Sequence, residues 1–174
     1  MSDIRLIEAD SSLRLAQLSA LAHVIWQQHY TPIIGKAQVD YMLAKGYSET
    51  ALASQRAAGT RFTLAERGQR FVAFAAVSPD STSPTDAWLD KLYVHIEARN
   101  LGLGRRLIEH CAIQARGFGA NVLRLRVNRY NKDSIRAYER IGFTMVYEDV
   151  KEIGGGFVMD DYVMTVPLDM LLAA

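Results

Sequence analysis

The chain has 174 residues, 49% of them hydrophobic and 22% charged, which suits one domain, 1–174, with a sizeable core and excludes a disordered or fibrous protein. A formal net charge of +1 excludes a protein whose main work is gripping nucleic acid, because no basic excess is available to neutralise phosphates. The lone cysteine, Cys111, excludes an internal disulfide. The start, Met1-Ser2-Asp3-Ile4-Arg5, lacks a signal-peptide pattern and no apolar run approaches the roughly 20 residues that span a bilayer, so the expected setting is cytoplasmic and away from membranes.

Ile4-Arg5-Leu6-Ile7 reads as a short first strand, and Asp10-Ser11-Ser12 supplies N-cap side chains for the helix after it. That helix carries Leu13, Ala16, Leu18, Leu21, Val24 and Ile25 at near-helical spacing and is expected to end near Tyr30. Thr31-Pro32-Ile33-Ile34-Gly35 breaks it, and a second helical region follows from about Ala37 towards Arg56, interrupted at Gly46 and closed by Gly59. Two strands, Arg61 to Glu66 and Arg70 to Val77, are joined by the hairpin turn Arg67-Gly68-Gln69. The second of them is apolar at both parities, which marks a strand covered on both faces. Ser78 to Asp86 is a turn-rich loop, and Trp88 to Val94 is a further strand.

A helix beginning near Gly102 buries Leu103, Leu107, Ile108, Cys111, Ala112 and Ala115, with Arg105, Arg106, Glu109 and Gln114 facing out, and ends at Gly117-Phe118-Gly119. Val122 to Asn128 alternates as a strand, Asp133 to Arg140 is a short helix stopped by Gly142, and Phe143 to Glu152 pairs with Val158 to Leu168 around Gly154-Gly155-Gly156. Strands alternating with helices and ending in a hairpin give a mixed α/β (α+β) sheet domain.

The most informative stretch is Arg99-Asn100-Leu101-Gly102-Leu103-Gly104-Arg105-Arg106, between a strand and a helix. Glycines at a helix start let a ligand approach the backbone, and the unpaired N–H groups there, with the positive end of the helix dipole, suit a pyrophosphate. Taken alone, the pair fits a plain loop at a helix start equally well. A dinucleotide fingerprint fails, because its third glycine would fall at Leu107 and the acidic residue about 20 positions on is missing. A P-loop fails for want of Gly-Lys-Ser/Thr.

The wider tract, Leu92-Tyr93-Val94-His95-Ile96-Glu97-Ala98-Arg99-x-x-Gly102-x-Gly104, resembles the acetyl-CoA-binding signature of the GNAT superfamily of N-acetyltransferases. A second block, Asn131-Lys132-Asp133-Ser134-Ile135-Arg136-Ala137-Tyr138-Glu139-Arg140-Ile141-Gly142-Phe143, is similar to that family's Asn-x-x-Ala-x-x-x-Tyr-x-x-x-Gly-Phe motif, in the family's order and at a family-like separation. Ile96 stands where many members have proline and Ser134 where many have alanine. The Met159-Asp160-Asp161-Tyr162-Val163-Met164 ending is also similar to polyamine-type and related bacterial members.

The resemblance implies a mostly antiparallel central sheet of about six to seven strands with about four helices, splayed at the cofactor strand. It implies acetyl transfer from acetyl-CoA to a primary amine by direct attack. The N–H groups from Gly102 through Leu103 and Gly104 to Arg105, with Arg99, Asn100 and Leu101, would hold the pyrophosphate; the main chain of Leu92, Tyr93 and Val94 would pair with the pantetheine arm, leaving the N–H of Val94 for the thioester carbonyl. Tyr138 would be the general acid, a phenol with pKa ~10 that stays protonated at neutral pH. Asn131 would cap its helix and reach the cofactor, beside Ser134.

An alkylammonium acceptor must lose a proton before attack, and Asp90 on the central strand is the preferred carboxylate, with Glu97, Asp160 and Asp161 as others. The acidic cluster Glu148, Asp149, Glu152, Asp160 and Asp161 suggests a small cationic acceptor. Trp26, His29 and Tyr30 end the first helix before the loop that in the family roofs the acceptor site, so Trp26 and Tyr30 are candidate substrate contacts. His23, His29, His95 and His110 lack metal-ligand spacing, and no metal is expected. Cys111 reads as packing. The resemblance leaves a homodimer open, and leaves two alternatives to small-molecule transfer: acetylation of a peptide or protein N-terminus, and a non-catalytic acyl-CoA-binding module.

Overall fold

The computed structural model describes residues 3–173. The strands hydrogen-bond in the order β1-β2-β3-β4-β5-β7-β6, antiparallel at β1–β2, β2–β3, β5–β7 and β6–β7 and parallel at β4–β5. Here β1 is Ile4–Glu8, β2 Arg61–Arg67, β3 Arg70–Pro79, β4 Asp86–Val94, β5 Val122–Asn128, β6 Thr144–Gly154 and β7 Phe157–Pro167. The expected mixed, mostly antiparallel sheet is therefore present. The chain forms two compact units, each with its own part of this order.

The first unit runs to Val77 and resumes over Lys91–Ile108. Its helices are α1 (Ser12–His29), α2 (Thr31–Ile34), α3 (Lys36–Gly46) and α4 (Glu49–Ala57). Ser11 caps α1 by accepting from the Arg14 N–H, and Ser48 caps α4 by accepting from the Ala51 N–H, each satisfying a donor that the first helical turn leaves unpaired. The β2–β3 hairpin turns through Gly68 and Gln69 at φ 55° and 67°, the double left-handed turn whose twist matches paired strands. Leu15, Leu18, Ala22, Ile25 and Trp26 of α1, Leu43 of α3 and Leu52 of α4 pack in one core with Phe62 and Leu64 of β2 and Phe74 and Ala76 of β3.

The second unit comprises Ser78–Asp90 and the chain from Glu109 onward. It holds most of α5 (Leu103–Gly117), then β5, α6 (Lys132–Ile141), β6, β7 and α7 (Leu168–Leu172). Its parallel β4–β5 register runs from Asp86 opposite Val122 to Leu89 opposite Leu125, covering only the first half of β4. Cys111, Ala112 and Ala115 of α5, as the apolar stripe predicts, are fully buried, as are Leu123 of β5 and Val163, Met164 and Val166 of β7.

Seven helices among the described residues replace the expected four or so. The stretch read as a break after α1 is itself a one-turn helix, because Pro32 sits in a first turn, where a missing N–H costs nothing. The region interrupted at Gly46 is two helices, and α7 has no counterpart in the sequence reading. Gln114, expected to face out, is half-buried, and its Oε1 has no partner among the described residues. No helix among the described residues is long and apolar enough to cross a membrane.

Candidate active site

In the first unit, β4 gives way to a helix start through a tightly tied turn. The His95 N–H donates to the Val72 carbonyl at 2.8 Å, and His95 Nδ1 accepts the Glu97 N–H at 3.2 Å, opening a short 3₁₀ turn over Ile96–Ala98. Asn100 and Gly102 then adopt φ of 64° and 72°, after which α5 begins. The Arg106 N–H closes on the Gly102 carbonyl at 3.1 Å, so the N–H groups of Leu103, Gly104 and Arg105 precede the first intrahelical bond.

The two glycines are there for different reasons. Gly102 is required by its left-handed backbone. Gly104 is helical, and a Cβ built on it would meet no protein atom within 4 Å, so the protein's own packing gives no reason for glycine there. A phosphate lying against the helix start would give one. The residues present thus fit a pyrophosphate: N–H groups ahead of the first intrahelical bond, an approach open at Gly104, and the guanidinium of Arg99, which donates through Nε to the Val94 carbonyl at 3.3 Å.

The same unit brings Trp26 and Tyr30 together, and onto Tyr93 of the strand expected to pair with a cofactor arm. The Trp26 ring lies 4.4 Å from Tyr30 and 5.4 Å from both Tyr47 and Tyr93, centroid to centroid. Trp26 and Tyr30 are buried, so core packing accounts for most of both rings. Trp26 Nε1 is buried with no hydrogen-bond partner among the described residues. Sequence reasoning missed Tyr47 and Lys91, whose Nζ lies 4.2 Å from the Tyr47 ring centroid. Lys91 is buried on a central strand, and a charge inside an apolar run was the signal available.

In the second unit, Tyr138 lies on α6 with its ring edge-on to Phe143 at 5.6 Å, and burial pushes its phenol up to about 12. Asn131 precedes α6 and is buried, but its side chain makes no capping bond to the helix, unlike the expectation from sequence. Its carbonyl accepts the Ile135 N–H at 3.1 Å instead. Ser134 is half-buried in the first turns of the same helix. Asp90 is exposed and accepts from the Ser78 hydroxyl at 2.6 Å. Burial pushes the Cys111 thiol up to about 12, which removes it as a nucleophile.

The acidic cluster is mostly paired. Arg129 donates to Asp160 at 2.6 Å and lies 3.3 Å from Glu148, while Arg126 donates to Asp149 at 3.0 Å. The Arg126 bond, aided by Lys151, holds the Asp149 carboxyl below the usual range. Asp161 differs. It sits on β7 opposite Asn128 of β5 and Asp149 of β6, is 4% exposed, and burial raises its carboxyl to about 6. The arginines were not identified in the sequence, because Arg126 lies on β5 and Arg129 just beyond it, more than 18 residues away from their carboxylates.

A mixed sheet whose central strand leads into a glycine-opened helix start defines a class: an α/β protein with a helix start of the kind that suits a phosphate. Residues 20–143 match the profile of the acetyltransferase (GNAT) family, and the chain belongs to that family. Its fold is shared with PaiA N-acetyltransferase from Thermoplasma acidophilum, solved in complex with coenzyme A, at 21% identity and a TM-score of 0.75 over 95% of this chain and 99% of that one. It is shared too with yncA from Salmonella typhimurium, solved with its cofactor acetyl-CoA, at 19% identity and a TM-score of 0.68 over 97% and 95% of the two chains. A 54-residue stretch is 41% identical to the 5-NmdU N-acetyltransferase of Pseudomonas phage PaMx11. That stretch covers 31% of this chain and only 36% of the relative's length.

Proposed function

We propose that the protein is an N-acetyltransferase that moves the acetyl group of acetyl-CoA to a primary amine of a small acceptor, by direct attack in a ternary complex. Family membership supports the chemistry. The observation that carries the cofactor reading is the helix start at Gly102–Arg105, where Gly104 is glycine for no reason internal to the protein.

Acetyl-CoA supplies an activated thioester, and the chain's own residues do the rest. The N–H groups of Leu103, Gly104 and Arg105 bind the pyrophosphate, with the Arg99 charge beside them. The main chain of Leu92, Tyr93 and Val94 lies beyond the β4–β5 register, which ends at Leu89, and is the stretch that pairs with the pantetheine arm. The Val94 N–H polarises the thioester carbonyl. Tyr138 donates its proton towards the departing thiolate; its raised pKa keeps it protonated at any working pH, and the same loss of solvent that raises it raises the thiol's own value. Asp90 takes a proton from the acceptor ammonium, directly or through water, and the neutral amine so formed attacks.

The finer reading, a cationic acceptor, rests on Asp161. Asp149, Asp160 and Glu148 already have arginine partners and Glu152 is exposed, so Asp161 is the buried carboxylate of the cluster left to meet an ammonium.

A thiol-release assay with acetyl-CoA against polyamines, amino acids, aminoglycosides and short peptides tests the proposal. Turnover with polyamines or another small cationic amine is expected. Turnover only with peptides would replace the acceptor reading, and acetyl-CoA binding without turnover on any amine would favour a binding module.

A further inference from the structure

The first unit ties the end of α1 to the proposed cofactor turn through a pair that neither sequence motif contains. Arg99 Nη2 lies 3.3 Å from Nδ1 of His29, the last residue of α1, while Arg99 Nε donates to the Val94 carbonyl. A guanidinium has only donors and keeps its proton. Nδ1 of His29 must therefore offer a lone pair, which fixes the ring as neutral with its proton on Nε2.

The ring that accepts this bond is itself held. His29 meets the Tyr30 ring edge-on at 4.8 Å, and Tyr30 packs against Trp26 at 4.4 Å and Tyr93 at 5.9 Å. Tyr93 is covalently next to Val94, whose carbonyl takes the other Arg99 bond. The contacts close a circuit from β4 through Arg99, His29 and Tyr30 back to β4. Arg99 is otherwise an exposed, rotamer-rich side chain, whose ordering on a ligand would oppose binding.

We propose that His29 is a positioning residue: by accepting from Arg99 it pre-orders that guanidinium beside the helix start, and so strengthens acetyl-CoA binding. The inference rests on the cofactor reading above and goes beyond it by assigning the role to a residue on α1.

The test is a double-mutant cycle on the full chain, read by calorimetric acetyl-CoA affinity. His29→Phe, which cannot accept, should weaken binding by roughly 3- to 10-fold, and His29→Gln, whose amide oxygen can, should recover most of that. In an Arg99→Gln background His29→Phe should change little. The acceptor KM should not move in either His29 variant. ¹⁵N chemical shifts of the His29 ring in the unliganded protein should report the Nε2–H tautomer, and Arg99→Gln should abolish that preference. Equal losses in the Phe and Gln variants, or a His29→Phe loss that persists in the Arg99→Gln background, would overturn the inference while leaving cofactor binding standing. Wild-type protein that binds no acetyl-CoA would overturn the cofactor reading and this inference together, with the ring tautomer then reporting a purely structural pair.

Discussion

Replacing Asp161 with Asn should stabilise this protein at neutral pH and much less in acid. Asp161 is 4% exposed on β7, and burial raises its carboxyl to about 6, with Asp149 and Asp160 adding to the rise and Arg126 and Lys151 opposing it. In an unfolded chain the group titrates at about 3.9. Between those values the folded state keeps a proton that the unfolded state has released, so stability falls as pH rises through the window. Above it both states are ionised and the whole cost is present, about 3 kcal/mol at about 1.4 kcal/mol per tenfold. Asn keeps the shape and removes the charge. Asp161→Asn should therefore gain about 2–3 kcal/mol at about pH 7.5, raising Tm by roughly 4–12 °C, and only about 1 kcal/mol at about pH 4.5. Thermal denaturation followed by circular dichroism at both pH values measures this. A gain of the same size at both, or a lower Tm at the higher pH, would refute the argument, because neither can come from a carboxyl that titrates between them.

The same variant tests the acceptor. Asp161→Asn should raise the KM of a cationic acceptor at least ~10-fold with acetyl-CoA affinity unchanged, since an ammonium is what would offset the buried charge. Asp160→Asn should have the smaller effect on KM and should lower Tm rather than raise it, because it removes one of the two carboxylates that Arg129 meets; a larger KM effect from Asp160→Asn would move the acceptor site to Asp160. Tyr138→Phe should lower kcat by roughly 10²–10⁴ and keep acetyl-CoA affinity, measured by steady-state kinetics beside calorimetry. With the phenol raised to about 12, no alkaline loss of kcat from this group should appear below about pH 10. Gly104→Val should keep or slightly raise Tm, because a Cβ there meets no protein atom and glycine is a poor helix residue, yet should weaken acetyl-CoA binding at least ~10-fold. Normal binding by that variant would mean the helix start is not the pyrophosphate site.

Local chemistry made much of the fold legible before the structure. Alternation placed β5 at Val122–Asn128 with the same limits, and the Gly68–Gln69 turn placed its hairpin. The apolar stripe of α5 was read residue by residue, because each of its members answers to the 3.6-residue period alone. Errors came where a local signal had two uses. Pro32 ends one helix and begins another, and Gly46 closes α3 only because Ser48 starts α4. The five-residue α7 is too short to show a period, and nothing but Pro167 before it announces a helix.

The candidate site divides the same way, and the division explains why the acidic cluster could not be apportioned from sequence. Gly102 and Gly104 sit in one contiguous motif and Tyr138 in another, so each could be read from its own local run of residues. Asp160 and Asp161 are neighbours of identical chemistry, and only the sheet separates them. A strand turns successive side chains to opposite faces. Asp160 therefore meets Arg129, which follows β5 in sequence, while Asp161 faces Asn128 and Asp149 across the two adjoining strands. One carboxylate has its charge matched by a guanidinium; the other is buried beside an amide and a second carboxylate that Arg126 already engages. Register decides which is a structural ion pair and which is buried without a guanidinium partner, and a one-residue slip of β7 would exchange their surroundings.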